Sequence, residues 1–504
     1  MALATITTRA QDGVNAPPIS VEVHLSNGLP GLSIVGLPET AVRESKDRVR
    51  GAIQNSHFDF PTRRITINLA PADIPKEGSR YDLPIAMGIL AASGQIPTDA
   101  LDQFEFVGEL ALSGAIRPVQ GILPASLHAR RAGHSLICPT ENEAEAALVN
   151  AGSVFSAGHL SDVCAHLAGS LKLPAASASL PTTAAPVTDI AQVRGQPAAR
   201  RALEIAAAGG HNLLMCGPPG TGKTMLASCL PGIMPDLNEQ EALEAASIAS
   251  LCGEKDICGQ WAQRPFRTPH HTTSAVALVG GSSNPRPGEI SRAHLGVLFL
   301  DELPEFERRS LEVLREPLES GRIVISRAAR QSEFPARFQL IAAMNPCPCG
   351  YLGDSSGRCR CSPGLISRYH NRLSGPLLDR IDLHIDVPRQ PLTLLQPGTP
   401  EENSATVRAR VSQAHVVQHE RCSKLNAHMT TLDIDEHCAL STGDSGILQQ
   451  AIDKLTLSSR AYHRTLKLAR TIADLALSPD IKTAHLTEAL SYCQRDPGHI
   501  YAAC

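Results

Sequence analysis

The chain has 504 residues, length for about three domains of ~150 residues each, and carries 46 Lys and Arg against 50 Asp and Glu, a net charge of −4. That near balance rules out a chain-wide electrostatic hold on nucleic acid, so any basic surface must be local. A single Trp argues against base-stacking platforms of the single-strand-binder kind. Fourteen cysteines behind a start without an apolar signal core (Met1–Thr8), and no apolar run long enough to span a bilayer, lead us to expect a soluble, cytosolic protein with reduced thiols and room for a metal site.

Residues 1–170 alternate strand-like and helical patterns and form a first domain. Three stretches, Pro75–Ala86, Gly108–Gly121 and Arg131–Asn142, look similar to the Lon protease domain. Peptide hydrolysis by such a domain needs a Ser and a Lys. Aligned on the flanking residues, the Ser position falls on Asp82 and the Lys position on Leu123, with Ser79 out of register. The resemblance therefore implies an inactive α+β module, of the kind also found in RadA-type recombination proteins. Arg43, Lys46, Arg48, Arg50, Arg63, Arg64, Lys76 and Arg80 would suit a phosphate backbone. With Glu39, Glu44 and Asp47 interspersed, they suit a mixed solvated surface equally well, and an oligomerisation role is open.

Residues 171–189 form a linker: Pro174–Thr188 has three prolines, no charge and no aromatic residue. Residues 190–390 then carry the chemistry. Gly217-Pro218-Pro219-Gly220-Thr221-Gly222-Lys223-Thr224 fits the G-x-x-x-x-G-K-[ST] phosphate loop, between a strand-like His211–Cys216 and a helix start at Met225–Leu230. Glycines allow backbone N–H groups to turn toward phosphate oxygens, and the helix N-terminus adds its dipole. Lys223 is expected at the β- and γ-phosphates of ATP, and Thr224 at Mg²⁺.

Between this loop and the next acidic motif lies Arg264–Ser291, rich in Gly, Pro, Ser and Arg and loop-like by composition; its Arg267 and Arg286 are candidate DNA contacts. The paired His270 and His271 point apart in most backbones and make a poor metal site. Val297–Leu300 followed by Asp301 and Glu302 is a Walker B pattern, Asp301 holding Mg²⁺ through water and Glu302 polarising the attacking water. Gly321–Pro335 alternates around a basic tip and predicts a β-hairpin, with Arg327 and Arg330 placed to grip phosphates or to pair with nearby acids. Gln339–Met344 reads as a buried strand ending at Asn345, an amide able to orient the attacking water. Arg380, in Leu377–Leu383, reads from spacing alone as a partner of Asp379 or Asp382, or else as an arginine finger. Cys347-Pro-Cys349 and Cys359-Arg-Cys361, nine residues apart across a Gly-rich loop, fit a tetrahedral zinc–thiolate site, structural because four thiolates leave no open position. Beyond a break at Pro388–Asn403, residues 391–504 are helical in pattern: Leu466, Ala469, Ile472, Ala473 and Ala476 share one face of Ser459–Leu477. Arg460 opens that helix and Arg464 rivals it as a residue closing over the nucleotide.

The phosphate loop, Leu298–Leu303, Ala342–Gly350 and Ser374–Leu383 together resemble the magnesium-chelatase-like AAA+ ATPases of the ComM/YifB type, a branch shared with MoxR ATPases and MCM helicases. The resemblance covers essentially the whole chain. It implies an α/β protein: an inactive Lon-like domain, a three-layer AAA+ core with pore insertions, and a helical lid. It also implies Asn345 as sensor 1, Arg380 as arginine finger, Arg460 as sensor 2, and ATP sites between subunits of a hexameric ring. The activity implied is branch migration on DNA during bacterial natural transformation, in company with recombination proteins. The rival is a chelatase- or MoxR-type chaperone that remodels a protein partner.

Overall fold

The computed structural model describes residues 2–177, 188–281, 285–327, 330–354, 357–391, 401–455 and 458–493. Period-2 alternation makes strands β1 (Ala2–Arg9) and β2 (Pro18–Ser26), which pair antiparallel and bury Ile6, Ile19, Val21 and Val23. With β3 (Gly31–Val35), β4 (Arg64–Ala70), β5 (Phe104–Phe106), β8 (Ser135–Pro139) and β9 (Val154–Ala157) they form a seven-stranded mixed sheet, ordered β3-β4-β2-β1-β5-β8-β9. A small hairpin of β6 (Glu109–Leu110) and β7 (Ile116–Arg117) lies beside it. The helix Asp82–Ala92 is buried along its whole length, which its apolar sequence requires.

The expected linker starts later than its composition suggests. Ala175 bridges to Phe155, the Ala176 N–H donates to the Val154 carbonyl, and Leu173 and Ala176 are buried, so residues 173–176 belong to the first domain. Residues 178–187, the rest of that linker, lie outside the described residues, as do 392–400 in the second break.

The second sheet has five strands, all parallel, in the order β11-β12-β15-β10-β16: β10 is Leu213–Cys216, β11 Phe266–Arg267, β12 Val297–Leu300, β15 Gln339–Met344 and β16 Leu383–Asp386. Their continuous apolar runs are what a sheet covered on both faces demands. Two separate apolar clusters fill those faces, one under Met215, Phe299 and Ile341 and the other under Leu214, Leu298 and Leu340. One expectation is corrected here. The stretch after Arg264 is not all loop, because Phe266 stacks on Phe299 at 6.2 Å and draws β11 into the sheet edge. The antiparallel hairpin β13 (Arg322–Arg327) and β14 (Arg330–Pro335) forms as expected, anchored by buried Ile323, Ile325 and Phe334. Its tip residues 328 and 329, and the side chains of Arg327 and Arg330, lie outside the described residues.

The C-terminal helices pack through a buried polar network. Asp474, 1% exposed, accepts hydrogen bonds from Arg421, Asn426 and Arg470. His211, just before β10, bonds the Thr471 hydroxyl at 2.8 Å, and Arg464 donates to the Ile381 carbonyl just before β16. The helical region therefore docks at the amino-terminal edge of the parallel sheet.

The two positions aligned with the Lon dyad have other duties. Leu123 is buried with Leu148, Val149, Leu243, Ala246 and Ile257, joining the first domain to the helix Glu239–Cys252. Asp82 is fully buried and accepts from Arg48 at 2.7 and 3.1 Å. Arg80 and Lys76 are likewise buried and Arg48 is held by its ion pair with Asp82, so three of the eight basic residues grouped in the sequence are committed within the domain. Burial pushes the Asp82 carboxyl up to about 6, with Arg48 pulling the other way. A folded-state value above the ordinary 3.8 favours the folded chain below that pH, and this contribution is lost as pH rises through about 6. The neutral isostere Asp82→Asn should therefore gain on the parent in thermal midpoint between about pH 4 and 7. Scanning calorimetry across that window checks this; a pH-independent difference would contradict it.

Candidate nucleotide site

In a parallel sheet every strand ends at the same edge, and ligands gather there. Here β10 runs into the phosphate loop, β12 into Asp301 and Glu302, and β15 into Asn345. β10 lies next to β15, and β15 next to β12, so the three endings are adjacent although 128 residues separate Gly217 from Asn345.

The loop fits a phosphate. A Cβ on Gly217 would lie 2.2 Å from the Val387 carbonyl oxygen, so only glycine lets the chain leave β10 there. Gly220 and Gly222 have φ of +76° and +84° with open space where a side chain would be, which leaves the loop's concave backbone accessible. Lys223 opens the helix Lys223–Ile233, and its side chain folds back under the loop. Its Nζ donates to the carbonyls of Gly217 (2.7 Å) and Pro218 (2.9 Å) and to Asn345 Oδ1 (3.3 Å). All three partners are neutral, and burial holds the ammonium below the usual lysine range. A phosphate arriving above it would meet a cation already desolvated and aimed.

The Thr224 hydroxyl donates to Asp301 Oδ2 at 2.7 Å, which sets the two expected Mg²⁺-side groups against each other. Glu302 turns away from Asp301 because its backbone is left-handed (φ +53°), a conformation unusual outside glycine. Its N–H donates to Asp301 Oδ1 at 2.9 Å, and its carboxylate meets His271 Nδ1 at 3.2 Å. In the sequence His271 stands out only as one of a histidine pair, and its one signal for this role is its position four residues past the strand-forming Phe266-Arg267.

Other expected residues lie elsewhere. Arg380 precedes β16 and sits at the amino edge of the sheet, the length of a four-residue strand away from the loop, or about 13 Å. It pairs neither with Asp379 nor with Asp382 but with Glu319, at 2.6 Å. Arg460 donates to the same Glu319 oxygen at 3.0 Å. The two arginines thus stand together, away from the phosphate loop of their own chain. Arg464 is 6% exposed and held on a backbone carbonyl, whereas Arg460 is exposed and meets Glu319. Arg267 is tied to Glu289 and Glu254, with Arg292 bridging the same two acids. Arg286 is exposed. Cys347, Cys349, Cys359 and Cys361 converge, their sulfurs all within 4.8 Å of one another, an arrangement able to hold a metal.

Three family models match in chain order: subunit ChlI of Mg-chelatase over residues 21–142, magnesium chelatase subunit ChlI over 189–394, and the C-terminal region of that subunit over 401–493. The chain is 54% identical to the protein YifB of Salmonella typhimurium over 98% of its length and 97% of that protein. It is 52% identical to the competence protein ComM of Haemophilus influenzae, with the same coverage. The chain belongs to the ComM/YifB type of magnesium-chelatase-like proteins. A magnesium-chelatase 38 kDa subunit from Rhodobacter capsulatus is 25% identical over 62% of this chain and 89% of that one. The five-stranded parallel sheet fits the AAA+-like fold of such proteins. Among the described residues no helix is long and apolar enough to cross a membrane.

Glu302→Gln should lower kcat for ATP by ~10²–10⁴-fold while leaving nucleotide affinity intact. His271→Ala, which removes only the group that orients Glu302, should lower kcat by a smaller factor of about tenfold with KM unchanged. Steady-state phosphate release with parallel nucleotide titration separates the two effects.

Proposed function

We propose that this chain is an ATP-hydrolysing motor that works as a ring, six-membered by family resemblance, with each ATP site shared by two copies. The observation that carries this reading is the separation of Arg380 and Arg460 from Lys223, Asp301, Glu302 and Asn345, at opposite edges of one sheet. Lys223 and the loop N–H groups bind and orient the triphosphate, Asn345 and Glu302 hold the attacking water, and Glu302 takes its proton. Mg²⁺ held by Thr224 and Asp301 would neutralise phosphate charge. Arginines from the next copy would then meet the charge that develops as the terminal phosphoryl group leaves.

Lys223→Ala and Arg380→Ala proteins should each be inactive alone. When mixed, they should recover part of the ATPase rate, because the loop of one and the arginine of the other make intact sites. No recovery on mixing would place the arginine in its own chain's site.

The substrate we infer is DNA, and the activity helicase-like branch migration in homologous recombination during natural transformation. Its supports are the basic tip of the β13–β14 hairpin, the exposed Arg286, and the similarity to a competence protein. The matches to magnesium chelatase along the chain favour a second reading, a chaperone acting on a protein partner. Forked DNA should raise the ATPase rate and be unwound in the same sample. Arg327→Ala with Arg330→Ala should weaken DNA binding and flatten its salt dependence by about two charges. An ATPase indifferent to DNA would favour the chaperone.

A further inference from the structure

The four-cysteine cluster begins two residues after Asn345 and has no part in the chemistry described so far. The sulfur of Cys359 lies 3.8 Å from that of Cys347 and 3.7 Å from that of Cys349, and Cys347 lies 3.3 Å from Cys349. Four thiolates around one zinc ion with bonds of about 2.3 Å define a tetrahedron with edges of about 3.8 Å. The separations are too long for a disulfide bond and too short for four unrelated thiols scattered over a 15-residue segment. The loop is also shaped for it. Gly350 takes φ +84° and its N–H returns to the Cys347 carbonyl at 2.9 Å, which folds Cys347 and Cys349 onto one side of a tight turn. Gly353 and Gly357 are left-handed as well, and the Gly357 N–H donates to the Asp354 carbonyl at 3.2 Å, two residues before Cys359. Cys347 is fully buried and Cys349 exposed, so the cluster ties the interior to the surface.

Its neighbour gives the site a purpose. A Cβ at Gly350 would lie 2.7 Å from Cδ of Pro219 and 3.8 Å from Cγ of Asn345. The turn between the second cysteine and the rest of the cluster thus rests on the phosphate loop itself and on the amide that bonds Lys223. We propose that Cys347, Cys349, Cys359 and Cys361 bind one structural zinc ion, and that the zinc-held turn at Gly350 braces the phosphate loop in its binding shape. The second half of this proposal rests on the nucleotide-site reading; the first does not. Because metal binding to such thiolates is coupled to the folding of the segment that carries them, loss of the ion frees Gly350 from Pro219 rather than leaving an empty preformed cage.

Elemental analysis for zinc and iron on the full-length purified protein, together with titration of a fluorescent ATP analogue, tests both halves. One zinc per chain is expected. Cys359→Ser with Cys361→Ser should abolish zinc and weaken nucleotide binding by about tenfold or more. Gly350→Ala should keep the zinc yet weaken nucleotide binding, since its methyl group must displace Pro219. Far-UV circular dichroism of each variant separates local loss from global unfolding. If the double-serine variant unfolds, Gly350→Ala and the zinc content of the parent still decide the matter. Absence of metal from the folded parent protein, or iron in place of zinc, overturns the zinc site. Zinc retained by the double-serine variant overturns this ligand set, and nucleotide affinity unaltered in both variants overturns the brace. Lys223→Ala serves as the control: it should keep zinc while losing nucleotide. A parent that holds zinc but binds no nucleotide would therefore overturn the site reading and leave the metal site standing.

Discussion

The parallel direction of the five central strands is the constraint on which the rest of the structure depends. Parallel pairing forces every strand to end at one edge, so whatever follows β10, β12 and β15 is gathered there, and whatever precedes β10 and β16 is carried to the other edge. The phosphate loop, Asp301, Glu302 and Asn345 follow strands. His211, Ile381 and Arg380 precede them. The C-terminal helices dock on His211 and Ile381 through Thr471 and Arg464, and so bring Arg460 to the far edge beside Arg380. No rotation of a side chain crosses the sheet. Within one chain the two sets of residues therefore stand at opposite edges of the sheet.

Glu319 gives this arrangement a resting state. One exposed carboxylate accepts from both Arg380 and Arg460, and the two cations hold it below the usual glutamate range, against the penalty of burial. Two arginines of like charge would otherwise repel each other at that edge. A shared, half-exposed carboxylate is a weak restraint in water, of the order of a surface ion pair, about 1 kcal/mol or less. A stronger anion brought to that edge would compete with it for the two arginines.

Much of this was legible in the sequence because strand-ending motifs are local. Val297–Leu300 and Gln339–Met344 are short apolar runs closed by polar residues, and the structure keeps their limits within a residue. What the sequence could not show is what a residue far along the chain does to a local choice. Phe266 reads as part of a loop until Phe299, 33 positions on, stacks against it. Arg380 reads as a partner of its neighbours Asp379 and Asp382, yet Asp382 is buried against His211 and the Asn212 N–H, so the guanidinium turns to Glu319. Arg48, Lys76 and Arg80 read as surface charge until burial and Asp82 claim them. Composition likewise marks Leu173–Ala176 as linker, because Pro and Ala carry no pattern that reveals their docking on β9.

In the first domain, the two positions that align with the Lon-like dyad are held by structural partners. Where the Lon-like pattern asks for a nucleophile, Asp82 carries a buried charge that is stable only because Arg48 supplies two hydrogen bonds, so neither residue is free to act on a substrate. Where it asks for a lysine, Leu123 sits in the apolar seam against Leu243 and Ala246 of the sheet-bearing second domain, and its N–H meets the Ser250 hydroxyl. A lysine there would push a charged chain into that seam, against the buried carboxyl of Glu145, which already meets the Leu123 N–H. The position that aligns with the Lon lysine is therefore one that fastens the first domain to the sheet-bearing domain.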